Sequence, residues 1–359
     1  MACFWKNERN AVEVCPITID NGSYTYTESD TSTTPATNYL VVVPQDLASY
    51  AKIPISVTST LYTSIFSLFS KQGNVYSVGY REGNLSLTSF YKFSADGGYT
   101  RILGVPDIIP SHADHITHTA GKLRATRSGT TDWSSQISFY ESANGETWVL
   151  VPGTTSGSAA AATRFIYHYT VLSSRLIGIS LAAASSGVYG LYYSDDGGAT
   201  WANGTGSDVA SSGNTSHPFV HSGANIIATH RGGIFVSSDG ATWAHYPDVI
   251  IPTLAFSRPV AASGTGLVVV AGTIQSSGLR GFAHSGDHGA TWATTTQVAG
   301  GIPDASVVFS LFWDGVRFVG FIQRGDTGVY QIYTSPTGAA WTAGLVVPTI
   351  HKLPTQVID

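Results

Sequence analysis

The sequence predicts an all-β fold made of six repeated four-stranded units. Three observations carry this: a turn motif written six times, a strand-like run before each copy, and a near-constant spacing between copies. Ser194-Asp195-Asp196-Gly197-Gly198-Ala199-Thr200-Trp201 returns as Ser285-Gly286-Asp287-His288-Gly289-Ala290-Thr291-Trp292. A copy one residue shorter is Ser237-Ser238-Asp239-Gly240-Ala241-Thr242-Trp243. Looser copies span 142–148 and 335–341, and 94–101 keeps the pattern but ends in Arg101 instead of tryptophan. From Arg101 to Trp148, Trp201, Trp243, Trp292 and Trp341 the intervals are 47, 53, 42, 49 and 49 residues. That is the length of a propeller blade of four short strands.

In chain order, Ile17-Thr18-Ile19 and Ser23-Tyr24-Thr25-Tyr26 read as a hairpin with Asn21-Gly22 at its turn. A Thr/Ser-rich stretch at 27–37 and a strand at 39–43 follow. Residues 1–60 lack the motif and form a short N-terminal β segment that docks to a partner, closes the ring or makes a partial seventh blade. Residues 61–359 are expected to form a six-bladed β-propeller of four-stranded antiparallel blades. In each blade an apolar second strand (75–80, 123–126, 176–181, 226–229, 267–271, 317–322) precedes an aromatic or β-branched third strand (90–93, 137–140, 191–193, 234–236, 281–283, 331–333). First strands are clearest at 66–69 and 308–312, and a short fourth segment follows each motif, as at 149–151 or 249–251. The motif therefore lies between the third and fourth strands. Its Gly permits a left-handed backbone, its Asp and Ser can bond nearby amides, and its Trp can wedge between neighbouring blades.

Composition agrees with this fold. Of 359 residues, 43% are hydrophobic and only 11% charged, with 39 glycines for tight turns. A net charge of −5 provides no polycation for nucleic acid. The first nine residues carry no apolar signal core, and no apolar run is long enough to span a membrane. Cys3 and Cys15 can pair or stay reduced, and they have no metal-site spacing.

The pattern Ser-x-Asp-x-Gly-x-Thr-Trp resembles the Asp-box, or BNR repeat, of sialidase-like propellers. The resemblance covers about 60–350, and 194–201 and 285–292 match at every position. It implies that these turns are structural and face away from the ligand site, so the functional face lies on the opposite loops. The loops between second and third strands hold Arg81, Arg127, Arg231, Arg280 and Arg324, and the connections between blades add His112, Arg164, His217 and Arg258. Such a face suits a carboxylate or phosphate on an acidic glycan or partner protein. The alternative is a set of solvated loop arginines paired with Glu82 or Asp326.

The sequence offers little for catalysis. Sialidase chemistry needs an arginine triad and a tyrosine nucleophile with an acidic partner, but the family's Phe/Tyr-Arg-Ile-Pro motif is absent. Ser-His-Asp and nucleophile-elbow patterns are missing as well. His112, His115 and His118 fall on alternate faces of a strand and do not make a metal site. No cofactor or metal is expected.

Taken together, the sequence points to a non-enzymatic virion protein, a bacteriophage tail or surface propeller made in the host cytoplasm without a signal peptide. Residues 1–60 would join it to other tail proteins in many copies, and its outer face would bind a host glycan or receptor, without nucleic-acid binding or membrane insertion. The alternatives are a sialidase-like glycoside hydrolase or lyase and an intracellular assembly factor.

Overall fold

The computed structural model describes residues 17–19, 23–30, 37–44, 51–55, 65–71, 74–81, 84–93, 99–102, 116–119, 122–128, 137–150, 166–182, 188–197, 200–206, 209–210, 219–230, 233–252 and 260–347. All regular structure among them is β, arranged as seven antiparallel sheets. Sheet 1 contains Ile17–Ile19, Ser23–Asp30, Thr37–Pro44 and Ala51–Ile55. Sheet 2 contains Ile65–Lys71, Asn74–Arg81, Asn84–Phe93 and Tyr99–Arg101. Sheet 3 contains Ile116–Thr119, Lys122–Ser128, Ile137–Ser142 and Val149–Leu150. Sheet 4 contains Ile166–Leu172, Arg175–Ala182, Val188–Ser194 and Ala202–Asn203, with Val209–Ala210 on the same edge as the last of these. Sheet 5 contains Phe219–Ser222, Asn225–His230, Gly233–Ser237 and Ala244–Tyr246. Sheet 6 contains Ile250–Pro252 and Val260–Ala262, both paired with Val268–Ile274, then Arg280–Ser285 and Ala293–Thr296. Sheet 7 contains Val307–Trp313, Phe318–Gln323, Tyr330–Ser335 and Thr342–Val347.

The antiparallel four-stranded unit stands, and the described residues form seven such sheets, two of them with one additional short strand. Sheet 1 lies within the segment expected to be a short β appendage, and its second strand runs to Asp30, into the Thr/Ser-rich stretch. Thr27 continues the strand begun at Ser23-Tyr24-Thr25-Tyr26, and Thr27–Asp30 pair with Thr37–Leu40 of the next strand. The run at 249–251 is also reassigned. Ala244–Tyr246 is the fourth strand of sheet 5, whereas Ile250–Pro252 pairs with Gly272–Ile274 and opens sheet 6. Cys3 and Cys15 lie outside the described residues.

The chain divides into two compact units, 1–128 with 140–149 and 345–359, and 129–139 with 150–344. In the second unit consecutive sheets share apolar cores. Ile177 and Leu191 of sheet 4 pack with Ile226, Phe235 and Trp243 of sheet 5. Ile227 and Val236 of sheet 5 pack with Val268, Val270 and Ala283 of sheet 6. Val269 and Phe282 of sheet 6 pack with Leu311, Phe318, Tyr333 and Trp341 of sheet 7. Alternate residues of one second strand thus serve two cores, Val268 and Val270 on one side and Val269 on the other, as a strand covered on both faces requires.

The repeated turn is the joint between sheets. Its first residue, Ser142, Ser237 or Ser335, is buried and accepts the N–H of the turn glycine at 2.7–2.8 Å. The Asp or Asn gathers the following amides: Asn144 Oδ1 accepts from Glu146 and Thr147 at 2.9 Å, and Asp239 Oδ1 from Ala241 and Thr242 at 2.7 Å. The longer copies place their extra residue in a left-handed backbone, Gly197 at φ 71° and His288 at φ 59°. Their carboxylates then reach the threonine one position later, through both its N–H and its hydroxyl (Asp196–Thr200 at 2.8 and 2.6 Å, Asp287–Thr291 at 2.8 and 2.6 Å). Those bonds, the threonine hydroxyl first, hold both carboxylates down at about 2.

The turn glycine rests on the second strand of the preceding sheet: Gly145 on Tyr76, Gly240 on Ile177, Gly338 on Val269. The carbonyl just before it takes a hydrogen bond from that strand, from Tyr76 Oη to Asn144 O (3.1 Å), Arg175 Nη1 to Asp239 O (2.6 Å) and Asn225 Nδ2 to His288 O (3.1 Å). The tryptophan backbone N–H is taken by the segment leaving the preceding sheet, Trp243 by Thr205 O at 2.9 Å and Trp341 by Gly300 O at 2.7 Å. In the shorter copies the indole is buried, Trp148 at 8% and Trp243 and Trp341 at 5% exposure. In the longer copies Trp201 and Trp292 are half-buried, because the extra residue lengthens the turn beneath them.

Candidate functional site

Because the joints occupy the strand ends of the third-to-fourth turns, the opposite ends carry the second-to-third connections and the links to the next sheet. In sheets 6 and 7 these are two hairpins of one geometry. Ile274 N–H bonds Leu279 O and Gly278 N–H bonds Ile274 O, while Arg324 and Gly328 repeat the pattern with Val329 and Arg324. Gly278 and Gly328 sit at φ 69° and 68°, a backbone that glycine adopts without a Cβ penalty.

Arg280 opens the third strand of sheet 6. Its Nη1 donates to Ala305 O at 2.8 Å and Ser306 O at 2.9 Å, on the link into sheet 7. Gln297 lies across from it, with its N–H on Arg280 O at 3.0 Å and its Nε2 on the same Ser306 O at 2.9 Å. The link is folded tightly. Asp304 Oδ1 accepts Ala305 N–H at 2.8 Å, Ala305 is at φ 57°, and Ser306 Oγ donates to Pro303 O at 2.6 Å. Gly325 N–H donates to Ser306 Oγ at 3.0 Å, and a side chain at Gly325 would strike Asp304 O. Arg324 is differently placed. It forms a bidentate pair with Asp326 (2.9 and 2.6 Å) and adds a bond to Gln331 Oε1 at 3.2 Å. The pair raises the arginine and lowers the carboxylate, each chiefly through their mutual hydrogen bond. Leu279 and Val298 are exposed at this end, at 52% and 66%.

Of the arginines expected on one face, Arg280 and Arg324 are therefore brought to the same end of adjacent sheets. Arg81 ends the second strand of sheet 2, and Arg127 lies one residue before the end of that strand in sheet 3. Arg231, His112, Arg164, His217 and Arg258 lie outside the described residues. Gln297, Ser306 and Gln331 were not singled out by sequence. The signal for the first two was available, since Pro303-Asp304 marks a tight link just after the last strand of a repeat.

One serine–histidine pair invites a nucleophile reading. Ser222 Oγ lies 3.1 Å from His288 Nδ1. The hydroxyl is fully buried, donates to Ser263 O, and shares Nδ1 with its own carbonyl at 3.0 Å. A nucleophile must be reachable, so this pair fixes the joint between sheets 5 and 6 instead.

No protein-family model and no curated protein matches the chain. Solved structures do. A puromycin hydrolase structure is similar at 12% identity and TM-score 0.59, over 96% of this chain and 56% of that one. A prolyl endopeptidase structure is similar at 10% identity and TM-score 0.56, over 93% of this chain and 49% of that one. The β-propeller domain of the Trilobed protease from Pyrococcus furiosus is similar at 11% identity and TM-score 0.52, over 93% of this chain and 98% of that one. At such identities the likeness is one of fold, and the fold is that of β-propeller domains. The chain spans about half the length of the two whole peptidases.

These findings overturn the expectation of a non-enzymatic bacteriophage virion protein, since the structures matched along nearly the whole chain belong to peptidases. The composition behind that expectation, low in charge and rich in Ser, Thr and Gly, follows from a fold of tight turns and pleated strands. It carries no information on where the protein works.

Proposed function

We propose that the chain is the propeller of a peptidase system, a module that admits or holds peptide for a peptide-hydrolysing unit. The observation that carries this is the fold likeness over 93–96% of the chain to peptidase structures of which it spans half, and to an isolated protease propeller of which it spans 98%. In this reading the seven sheets are seven blades, and the Asp-box-like turns are the joints between them. The end bearing Arg280, Leu279, Val298 and the 324–329 hairpin is the face that meets peptide. Exposed apolar residues beside oriented polar groups suit a peptide, which presents both.

The test uses the purified chain with fluorescein-labelled peptides of three to six residues, read by anisotropy, with products followed by mass spectrometry. Saturable binding, displaced by unlabelled peptide and not by sialyllactose, supports the proposal. Absence of binding to every peptide, together with absence of cleavage, overturns it.

A further inference from the structure

We propose that Arg280 is a subsite for a peptide carboxylate, an inference that rests on the peptide-handling reading and names the group recognised. Most arginines with described side chains close on acid. Arg175 pairs with Asp195 at 2.7 Å, Arg317 with Asp314 at 3.3 Å, and Arg324 with Asp326 at 2.6 Å. Arg280 does not. Its hydrogen-bond partners among the described residues are two neutral carbonyls, Ala305 O and Ser306 O, both on Nη1. A guanidinium presents five donors in one plane, so fixing Nη1 at two points orients the whole fork. The Nη2 and Nε edge is left pre-aimed, in the geometry that takes a carboxylate through two parallel N–H···O bonds.

Three further features mark the spot as built to hold something. Gln297, 2% exposed, spends its Nε2 on the carbonyl that also receives Arg280, and its Oε1 has no partner among the described residues. Among its described residues the cluster is therefore short of a negative charge, and the last residue of a peptide brings a carboxylate. Ala305, whose carbonyl helps fix the guanidinium, holds a left-handed backbone at φ 57°. Non-glycine residues keep that conformation where the surrounding structure imposes it, often at ligand sites. Leu279 and Val298, the immediate neighbours of Arg280 and Gln297, are exposed at the same strand end and offer apolar surface to the residue bearing the carboxylate.

The experiment measures binding of one labelled hexapeptide in two forms, free acid and C-terminal amide, with a third amidated peptide carrying an internal Glu. The acid form binds at least about tenfold tighter than the amide, as expected for a charge-assisted bidentate contact, and the preference shrinks with added salt. Equal strength from the internal-Glu amide assigns the carboxylate to a side chain, and weakness of that peptide assigns it to the terminus. Arg280→Gln brings the acid-to-amide ratio to about one. Arg317→Gln, at the opposite strand end, keeps the ratio of the wild type. Should Arg280→Gln fail to fold, Arg280→Lys, which keeps the charge but lacks the planar fork, is the second variant and lowers the acid-to-amide ratio severalfold. Acid and amide binding alike overturns the carboxylate subsite and leaves the peptide reading standing. Absence of binding by all three overturns the carboxylate subsite, and the peptide reading falls with it when the full panel of three- to six-residue peptides is neither bound nor cleaved.

Discussion

Replacing Gly338 by alanine tests whether the repeated turn is a joint between sheets or merely a tight turn. Gly338 is buried at φ 87°, and a Cβ there would drive into the fully buried Val269 side chain of the preceding sheet. The left-handed backbone costs an alanine about 1–2 kcal/mol. Forcing a methyl into a packed core adds about 1–3 kcal/mol. The expected loss is therefore about 2–5 kcal/mol. Two other glycines separate the terms. Gly278 shares the positive φ (69°) but has nothing within 4 Å of where a Cβ would stand, so Gly278→Ala should lose only the backbone part. Gly264 has open space and no positive φ, so Gly264→Ala should be neutral or stabilising by up to about 1 kcal/mol through the unfolded chain. Urea midpoints at unchanged slope give the three values. If Gly338→Ala loses no more than Gly278→Ala, the turn glycine is not pressed against the neighbouring sheet and the turn is not a joint.

Other consequences follow from the same contacts. Trp341→Ala removes a buried indole whose Nε1 donates to Gly338 O at 3.0 Å, and should cost about 3–5 kcal/mol in chemical denaturation. Ser237→Ala leaves the buried Gly240 N–H without its 2.7 Å acceptor, and a loss of about 1–3 kcal/mol is expected by the same method. Asp196 and Asp287 titrate at about 2, below the ordinary carboxylate near 3.9, so each contributes stability above that ordinary value and loses it as pH falls through about 2. The thermal midpoint of Asp287→Asn should accordingly lie below that of the wild type near pH 6, and the two should converge towards pH 2; a gap independent of pH would contradict this. Tyr76 is pushed up to about 12, by burial first and then by the Glu146 charge, so ultraviolet titration should find it ionising after an ordinary tyrosine and earlier in Glu146→Gln.

The strands were legible because each is a run of aromatic and β-branched residues bounded by turn residues. The second strands lie where their apolar runs put them. What misled was phase at the edges of the repeat. Val249-Ile250-Ile251 has the composition of any short strand, and only its register with Gly272–Ile274 assigns it to sheet 6. That sheet 1 has four strands was hidden because it carries no copy of the motif that served as the ruler. The joint was half visible. Serine, glycine and tryptophan recur, yet the groups that bond the carbonyl before the turn glycine are a tyrosine, an arginine and an asparagine, which no pattern unites. Arg280 stood out by position alone. That no described acid pairs with it could not be read from a sequence with Asp304 nearby, because Asp304 turns its carboxylate to the backbone of Ala305.

Peptide is expected to meet the strand ends opposite the tryptophan turns. A peptide bearing a photo-activatable phenylalanine analogue, cross-linked to the chain and mapped by mass spectrometry, tests this most directly. Adducts are expected in 274–280, 297–306 and 324–329. Adducts concentrated instead in the turns at 194–201, 237–243, 285–292 and 335–341 would contradict it.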